Sequence, residues 1–401
     1  MDNGDLNPGD VSRSINDHMD GIIKLSNDIY NFSEPGSMEF RSSEEIVGKL
    51  KENGFVVQEN YLGMKTAFRA EFGSGTPVMG LLMEYDALPN GHSCGHNLIS
   101  AWAYGTALVL KDLMKGGKIV LFGTPSEEGI GPYAGSKIIM ASSGSFSGID
   151  FMFGMHPDDR WCVGCKALAD LQIEFTFRGK SSHMAASPSE GINALDALVT
   201  SYTAINNSRD WAAVDSHLVI GMIIKEGGKA SNVIPDRAVL EVDMRSTSSR
   251  FLKTFRDRIV NIVSSVSRGF GTELEVRDLI PMYTEYSANS TIDRILEAEM
   301  ENIGIRPINL DRSTEIASGS TDEANVSLTV PIGHIDMKVG DNLPGHSDLF
   351  RIASEPERNR DNLKKAITVT VNSALKIIKD HAIMEEIKRE FGDKHGKNQT
   401  P

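Results

Sequence analysis

PVMGLLMEYDALPNGHSCGHNL, residues 77–98, carries the reading of the fold. Its opening, PVMGLLME at 77–84, is a continuous apolar run of the kind buried within a sheet. Helical spacing resumes from about Leu98 to Met114, and KIVLFGT at 118–124 reads as the next strand. Strand, helix, strand implies a mostly parallel sheet flanked by helices. Between the first strand and the helix lies EYDALPNGHSCGHN, residues 84–97, which packs two carboxylates, a thiol and two imidazoles into a turn-rich loop. In open α/β sheets, loops at the carboxyl ends of strands are where sites form.

Working outward, residues 15–31, with Ile22, Ile23, Leu25, Ile29 and Tyr30, and the stretch holding Ile46, Val47 and Leu50 have helical spacing, while 65–72 reads as a strand. After His156 the pattern changes. LADLQIEFTFRG, a helix from Ile192 to about Asn206, HLVIGMIIKEGG, AVLEVDMRS, a helix over 249–268 and TELEVRDLI give a βαββαβ order, which predicts an inserted α+β domain of ferredoxin-like type. The expected division is 1–166 and 283–401 for the larger α/β domain and 167–282 for the insert. Helices at 290–303 and 361–380 complete the larger domain, and the polar tail from about Glu385 is expected to fray.

A chain of 401 residues favours two folding units. Apolar residues at 40% and charged residues at 24% are the balance of a packed globular protein. With 55 acidic against 41 basic residues the formal charge is −14, which disfavours nucleic acid as a partner. The N-terminal MDNGDLNPGDVSRS lacks the basic start and apolar stretch of a secretory signal, and no segment is apolar for long enough to cross a bilayer, so a cytoplasmic location is expected. Three cysteines, Cys94, Cys162 and Cys165, cannot make a full disulfide framework.

Cys94 and His96 flank one glycine, so both donors can face a common point while Gly95 lets the backbone bend. By itself this also fits a loop with a buried thiol and a surface imidazole. GTPSEEGIGP places Glu127 and Glu128 side by side after a strand. Neighbouring carboxylates can divide two tasks, one ligating a metal and the other acting as base, although an EE pair is commonly just solvated. FGMHPDD places His156 after another apolar strand, and PGHSDLF places His346 in a loop before the last helix. Together the four segments supply soft and hard donors suited to zinc or manganese. GHSCG at 91–95 also spells the GxSxG of a serine hydrolase with Ser93 as nucleophile, but leaves Cys94 and His96 unexplained. Cys162 and Cys165 form a single CxxC, read as structural or incidental.

EYDALP, GHSCGHN, SEEG, MHP, GKSSHMAASPSEGINALDA, GGKASNVIPD and GHS, in that order from residue 84 to 347, resemble the aminoacylase and carboxypeptidase G type of metallopeptidase. The nearest resemblance is to its amidohydrolase branch, the aminobenzoyl-glutamate hydrolase and peptidase-domain-containing dipeptidase group. That resemblance implies two divalent ions, zinc or manganese with cobalt as a further candidate, held by Cys94, His96, Glu128, His156 and His346. It implies Glu127 as the general base toward a metal-activated water, with Asp86 behind the ligands. In the insert it implies that His183 serves the substrate's tetrahedral intermediate across a dimer, and that Asn232 and Arg245 bind the substrate; Arg245's fork of donors suits a carboxylate. His92 matches a position that is not a ligand. The implied activity is hydrolysis of an N-acyl amino acid, an aminobenzoyl-glutamate-like amide or a small dipeptide by a homodimer joined through the inserted domain. The alternatives are hydrolytic deamination of an aromatic amine at the same site, or a metal-binding homologue without turnover.

Overall fold

The computed structural model of the chain describes residues 8–209, 217–317 and 319–395. The chain divides into two compact units, one of residues 1–166, 286–316 and 322–401, the other of 167–285 and 317–321.

The first unit is built on a sheet of eight strands among the described residues: β1 (Val56–Glu59), β2 (Phe68–Ser74), β3 (Val78–Met83), β4 (Gly117–Gly123), β5 (Phe151–Asp158), β6 (Cys162–Val163), β11 (Ile308–Asn309) and β12 (Ile332–Lys338). Their order is β1-β2-β4-β3-β5-β12-β6-β11. The centre is parallel, with β3 beside both β4 and β5 and β12 beside β5; β2 and β6 join it antiparallel. Its helices are α1 (Pro8–Phe32), α2 (Phe40–Glu52), α3 (His96–Leu113), α4 (Ser136–Ser142), α7 (Ser290–Asn302), α8 (Glu323–Ser327), α9 (Asp348–Ala353), α10 (Arg360–Lys379) and α11 (His381–His395). This is the mixed, mostly parallel architecture expected from residues 77–124.

The central helix α3 is buried all the way from His96 to Leu110. A helix apolar all round must be covered on every side, and α3 is, by β3 and β5 on one side and by α1 and α10 on the other. Gly105 makes the close crossing possible: a Cβ there would lie 2.6 Å from Ile22 and 2.7 Å from Ile367. Trp102, wholly buried, donates from Nε1 to Thr370 Oγ1 at 3.0 Å and so ties α3 to α10.

The second unit follows the βαββαβ order, with β7 (Ala169–Arg178), α5 (Ala194–Asn207), β8 (Leu218–Glu226), β9 (Arg237–Ser246), α6 (Ser249–Phe270) and β10 (Glu273–Asp278). Its antiparallel sheet has the order β10-β7-β9-β8. One face packs Phe175, Phe177, Leu240 and Val242 against Leu198, Phe255 and Ile259 of the two helices.

One sequence expectation differs from this architecture. The tail does not fray at Glu385: α11 continues to His395, Met384 and Ile387 are buried, and Glu390 accepts from the Ser290 and Thr291 amides, satisfying the open end of α7. Residues 396–401 of that tail, and residues 1–7 of the stretch read for a signal, lie outside the described residues. Strand β12 lies outside the strands read from the sequence, although its His334, Asp336 and Lys338 alternate with Ile335 and Met337. Among the described residues no helix is long and apolar enough to cross a membrane.

Trp102→Ala should destabilise the protein by about 3–5 kcal/mol in urea unfolding, because it opens a cavity at the α3–α10 contact. Val56→Ala, at a position 77% exposed on β1, should stay within about 0.5 kcal/mol. A small effect at both positions would contradict this account of the core.

Candidate active site at the carboxyl ends of the parallel strands

Because β3, β4 and β5 run parallel, the residues that follow or end them meet at one edge of the sheet. Glu84 and Asp86 follow β3, Glu127 and Glu128 follow β4, and His156 lies near the end of β5. Cys94 and His96 flank Gly95, whose φ of +77° opens α3 and whose missing Cβ leaves room for Pro157, 2.8 Å from where it would stand.

Two of these side chains have their orientation set by a neighbour. The His96 Nδ1 atom lies 2.9 Å from Asp86 Oδ1, and Asp86 Oδ2 accepts from the Glu128 amide at 3.1 Å. His156 Nδ1 lies 2.7 Å from the Pro157 carbonyl oxygen, which can only accept, so Nε2 carries the free lone pair and sits 3.2 Å from Cys94 Sγ. His346, just before α9, has a left-handed φ of +60° and is pinned through its backbone, its amide donating to Ser93 O and its carbonyl accepting from Asn90. Its Nε2 lies 3.6 Å from Glu128 Oε2.

Donor atoms therefore gather in overlapping sets. Those of Cys94, His96 and His156 lie within 4.8 Å of one another, as do those of Cys94, Glu128 and His346 and those of Glu84, His96 and Glu127. Cys94 is common to the first two. Glu84 Oε2, His96 Nε2 and Glu128 Oε1 are buried with no hydrogen-bond partner, an arrangement that costs free energy unless something else satisfies them. Burial, with Glu127 and Asp86 as like charges, pushes the Glu128 carboxyl up to about 7 against the pull of His96. Burial and Glu128 likewise raise the Cys94 thiol. Burial works against a charged His96 ring, but Asp86 and Cys94 outweigh it and carry the imidazole well above its usual range. Crowded anions with bare inner atoms are a donor set that fits divalent cations.

The remaining sequence candidates fall as follows. Ser93 is buried and its hydroxyl donates to Asn90 Oδ1 at 2.8 Å, which leaves the GxSxG reading without an imidazole partner for it. His92 points away, 3.0 Å from Ile29 O, and burial lowers its ring to about 4. Cys162 is buried on β6 with its sulfur grouped with Asp158 and Asp336, and Cys165 is a free thiol. In the second unit, His183 and Asn232 are neighbours, since Met184 N donates to Asn232 O at 3.1 Å. Arg245 stands apart from them on β9, its Nη2 held 3.2 Å from Asp243 and 3.3 Å from Asp170.

Comparison with known proteins bears on the family and the fold. A peptidase dimerisation domain matches residues 166–270. Human Xaa-Arg dipeptidase is 30% identical over 355 residues, 84% of this chain and 80% of the relative. A solved Bacillus subtilis structure described as a dinuclear metal-binding peptidase of the M20 family matches with a TM-score of 0.66, at 18% identity, over 91% of this chain and 99% of that one. The chain belongs to the M20 peptidase family. As an M20 protein it is a hydrolytic enzyme acting on amide bonds. Another relative, a p-aminobenzoyl-glutamate hydrolase chain of Escherichia coli (strain K12), is 29% identical over 303 residues, 70% of this chain and 62% of the relative.

Sequence reasoning missed several residues that shape this candidate site. Lys137, wholly buried at the start of α4, pairs with Glu84 at 2.9 Å and with Asp322. A lysine at the head of a short helix reads as surface, and nothing local signals otherwise. Glu39 accepts from the Ser126 amide and from Thr66 Oγ1, both at 2.9 Å, and so holds the left-handed turn (Ser126 φ +59°) that presents Glu127 and Glu128.

Burial and the Asp86 charge push the Glu39 carboxyl up to about 7 from 4.5. Between those values the native state keeps a proton that the unfolded chain has released, so this group's contribution to stability is lost as pH rises through the window. Unfolding free energies measured for the wild type and Glu39→Gln should therefore diverge between pH 4.5 and 7, the wild type losing ground. Parallel curves would remove Glu39 as the source.

Proposed function

We propose that the protein hydrolyses the amide bond of an N-acyl amino acid, an aminobenzoyl-glutamate-like amide or a small dipeptide at a centre of two divalent ions, zinc or manganese. The observation that carries this reading is the pair of donor sets, Cys94–His96–His156 and Cys94–Glu128–His346, sharing one sulfur. Zinc and manganese both accept such mixed sulfur, nitrogen and oxygen donors. When bound, the ions supply Lewis acidity that polarises the scissile carbonyl and makes a water acidic enough to attack near neutral pH.

The chain's own groups do the rest. Asp86 keeps the His96 proton on Nδ1 and so presents Nε2 as a ligand. Glu127, which the five-ligand set leaves free, takes the proton of the attacking water and passes it to the leaving nitrogen. His183 Nδ1 accepts from the Ala185 and Ala186 amides at 3.2 Å, which keeps its proton on Nε2, the atom that would meet the developing oxyanion. Asn232, beside it, and Arg245 are the groups assigned to the substrate's carbonyl and carboxylate.

The inserted domain, 167–282, is assigned to dimerisation. The match to a peptidase dimerisation domain supports this, as does edge strand β8, which leaves Val219, Ile223 and Ile224 exposed. In the dimer His183 acts on the partner's site.

Glu127→Gln keeps the size and hydrogen bonding of the base but not its proton affinity, so kcat should fall about 10²–10⁴-fold with both ions retained. Glu128→Gln should instead lose metal. A panel of acyl amino acids, aminobenzoyl-glutamate and dipeptides, assayed with zinc, manganese or cobalt after chelation, checks both activity and metal content. Equal retention of metal in the two variants, or an active Glu127→Gln, would overturn the division of roles.

Mixing inactive His183→Ala chains with inactive Glu127→Gln chains should restore part of the activity, because each heterodimer then holds one complete site. No recovery after confirmed exchange of chains, or a fully active monomer, would defeat the assignment of His183 to the partner's site.

A further inference from the structure

Glu84 has no part in the five-ligand set, yet its geometry is that of a ligand. It is the residue after β3 and is 4% exposed. Its Oε1 is held by Lys137 Nζ at 2.9 Å. Lys137 is itself immobilised, its ammonium by Asp322 and its amide by a 3.1 Å hydrogen bond to Asp322 Oδ2. The carboxylate is thus aimed by one oxygen, and the other is left bare.

That second oxygen, Oε2, is buried without a hydrogen-bond partner and lies 3.6 Å from His96 Nε2, which is equally without one. At 3.6 Å the two do not hydrogen-bond to each other. The Glu127 carboxylate stands 3.8 Å from the same Nε2, so an imidazole nitrogen and two carboxylate oxygens surround one point. A buried carboxylate oxygen with no donor is costly. Lys137 does not relieve the cost, because it faces the other oxygen and is shared with Asp322. The surplus negative charge is directed inward, toward the His96 nitrogen.

We propose that Glu84 is a sixth protein ligand of the metal centre, binding through Oε2 the same ion as His96, with Lys137 and Asp322 as the tether that aims it. This rests on reading the site as a metal centre. A further hard oxygen donor beside His96 would favour oxygen-preferring ions such as manganese at that position relative to the Cys94–Glu128–His346 position.

Three measurements test it. Anomalous diffraction from crystals of the native protein loaded with zinc should place an ion about 2.0–2.2 Å from Glu84 Oε2. Two ions bound with neither in contact with Glu84 would overturn this inference and leave the metal-dependent reading standing. No ion at Cys94, His96, Glu128, His156 or His346 would overturn that reading itself. In chelator competition, Glu84→Gln, which keeps an acceptor for Lys137, should bind one of the two ions at least about 10-fold more weakly and the other unchanged. Its cobalt-loaded form should show an altered visible absorption spectrum, which a merely structural role would not produce. Unchanged affinities and an unchanged spectrum would overturn the proposal, and the diffraction result on the native chain decides it if the variant does not fold.

Discussion

Asp86 accepts from two places at once, the His96 ring through one oxygen and the Glu128 amide through the other. One carboxylate thereby joins the loop after β3 to the loop after β4, and orients a side chain in the first while fixing the backbone of the second. Burial alone would raise Asp86, but the His96 ring and the Glu128 amide hold it below the ordinary carboxylate range. It stays an acceptor on both sides. Such a bridge is possible only because β3 and β4 are parallel neighbours whose carboxyl ends emerge together.

The polar interior around that bridge is organised by charge. Glu84, Asp86, Glu127, Glu128 and Asp322 are gathered at the sheet edge with Lys137 as the buried lysine among them, its ammonium raised because Asp322 and Glu84 outweigh the effect of burial. Gathered carboxylates repel one another. Here geometry holds them in place: Glu39 restrains the Ser126 turn, Asp86 restrains Glu128, and Lys137 restrains Glu84. These supports come from the start of α2, the end of β3 and α4, elements distant in sequence.

The second unit shows a simpler logic. Alternation along β7 and β9 puts Phe175, Phe177, Leu240 and Val242 inside, against α5 and α6, and the same alternation turns Arg245 toward Asp243 and Asp170. His183 and Asn232 lie together because Lys180 pairs with Ile192 and His183 with Val233, closing the loop into a small platform.

The sequence by itself determined the periodicities, and with them the parallel core, the βαββαβ insert and the ordered landmarks that singled out Cys94, His96, Glu127, Glu128, His156 and His346. Such features are local: a buried strand must be apolar, a tight turn needs glycine, and a donor motif is short. Only the tertiary structure decided which of these atoms face one another, that Cys94 is shared between two donor sets, and that Lys137, Glu39 and Glu84 belong to the site at all. Nothing near Lys137 in the chain marks it as buried, because burial is a property of what α4 packs against, and its partners Glu84 and Asp322 lie 53 and 185 residues away. The same reason explains the C-terminal helix, whose polar sequence becomes ordered because Glu390 completes the first turn of α7. Composition cannot report a hydrogen bond whose other half is a hundred residues distant, since folding alone brings the two together.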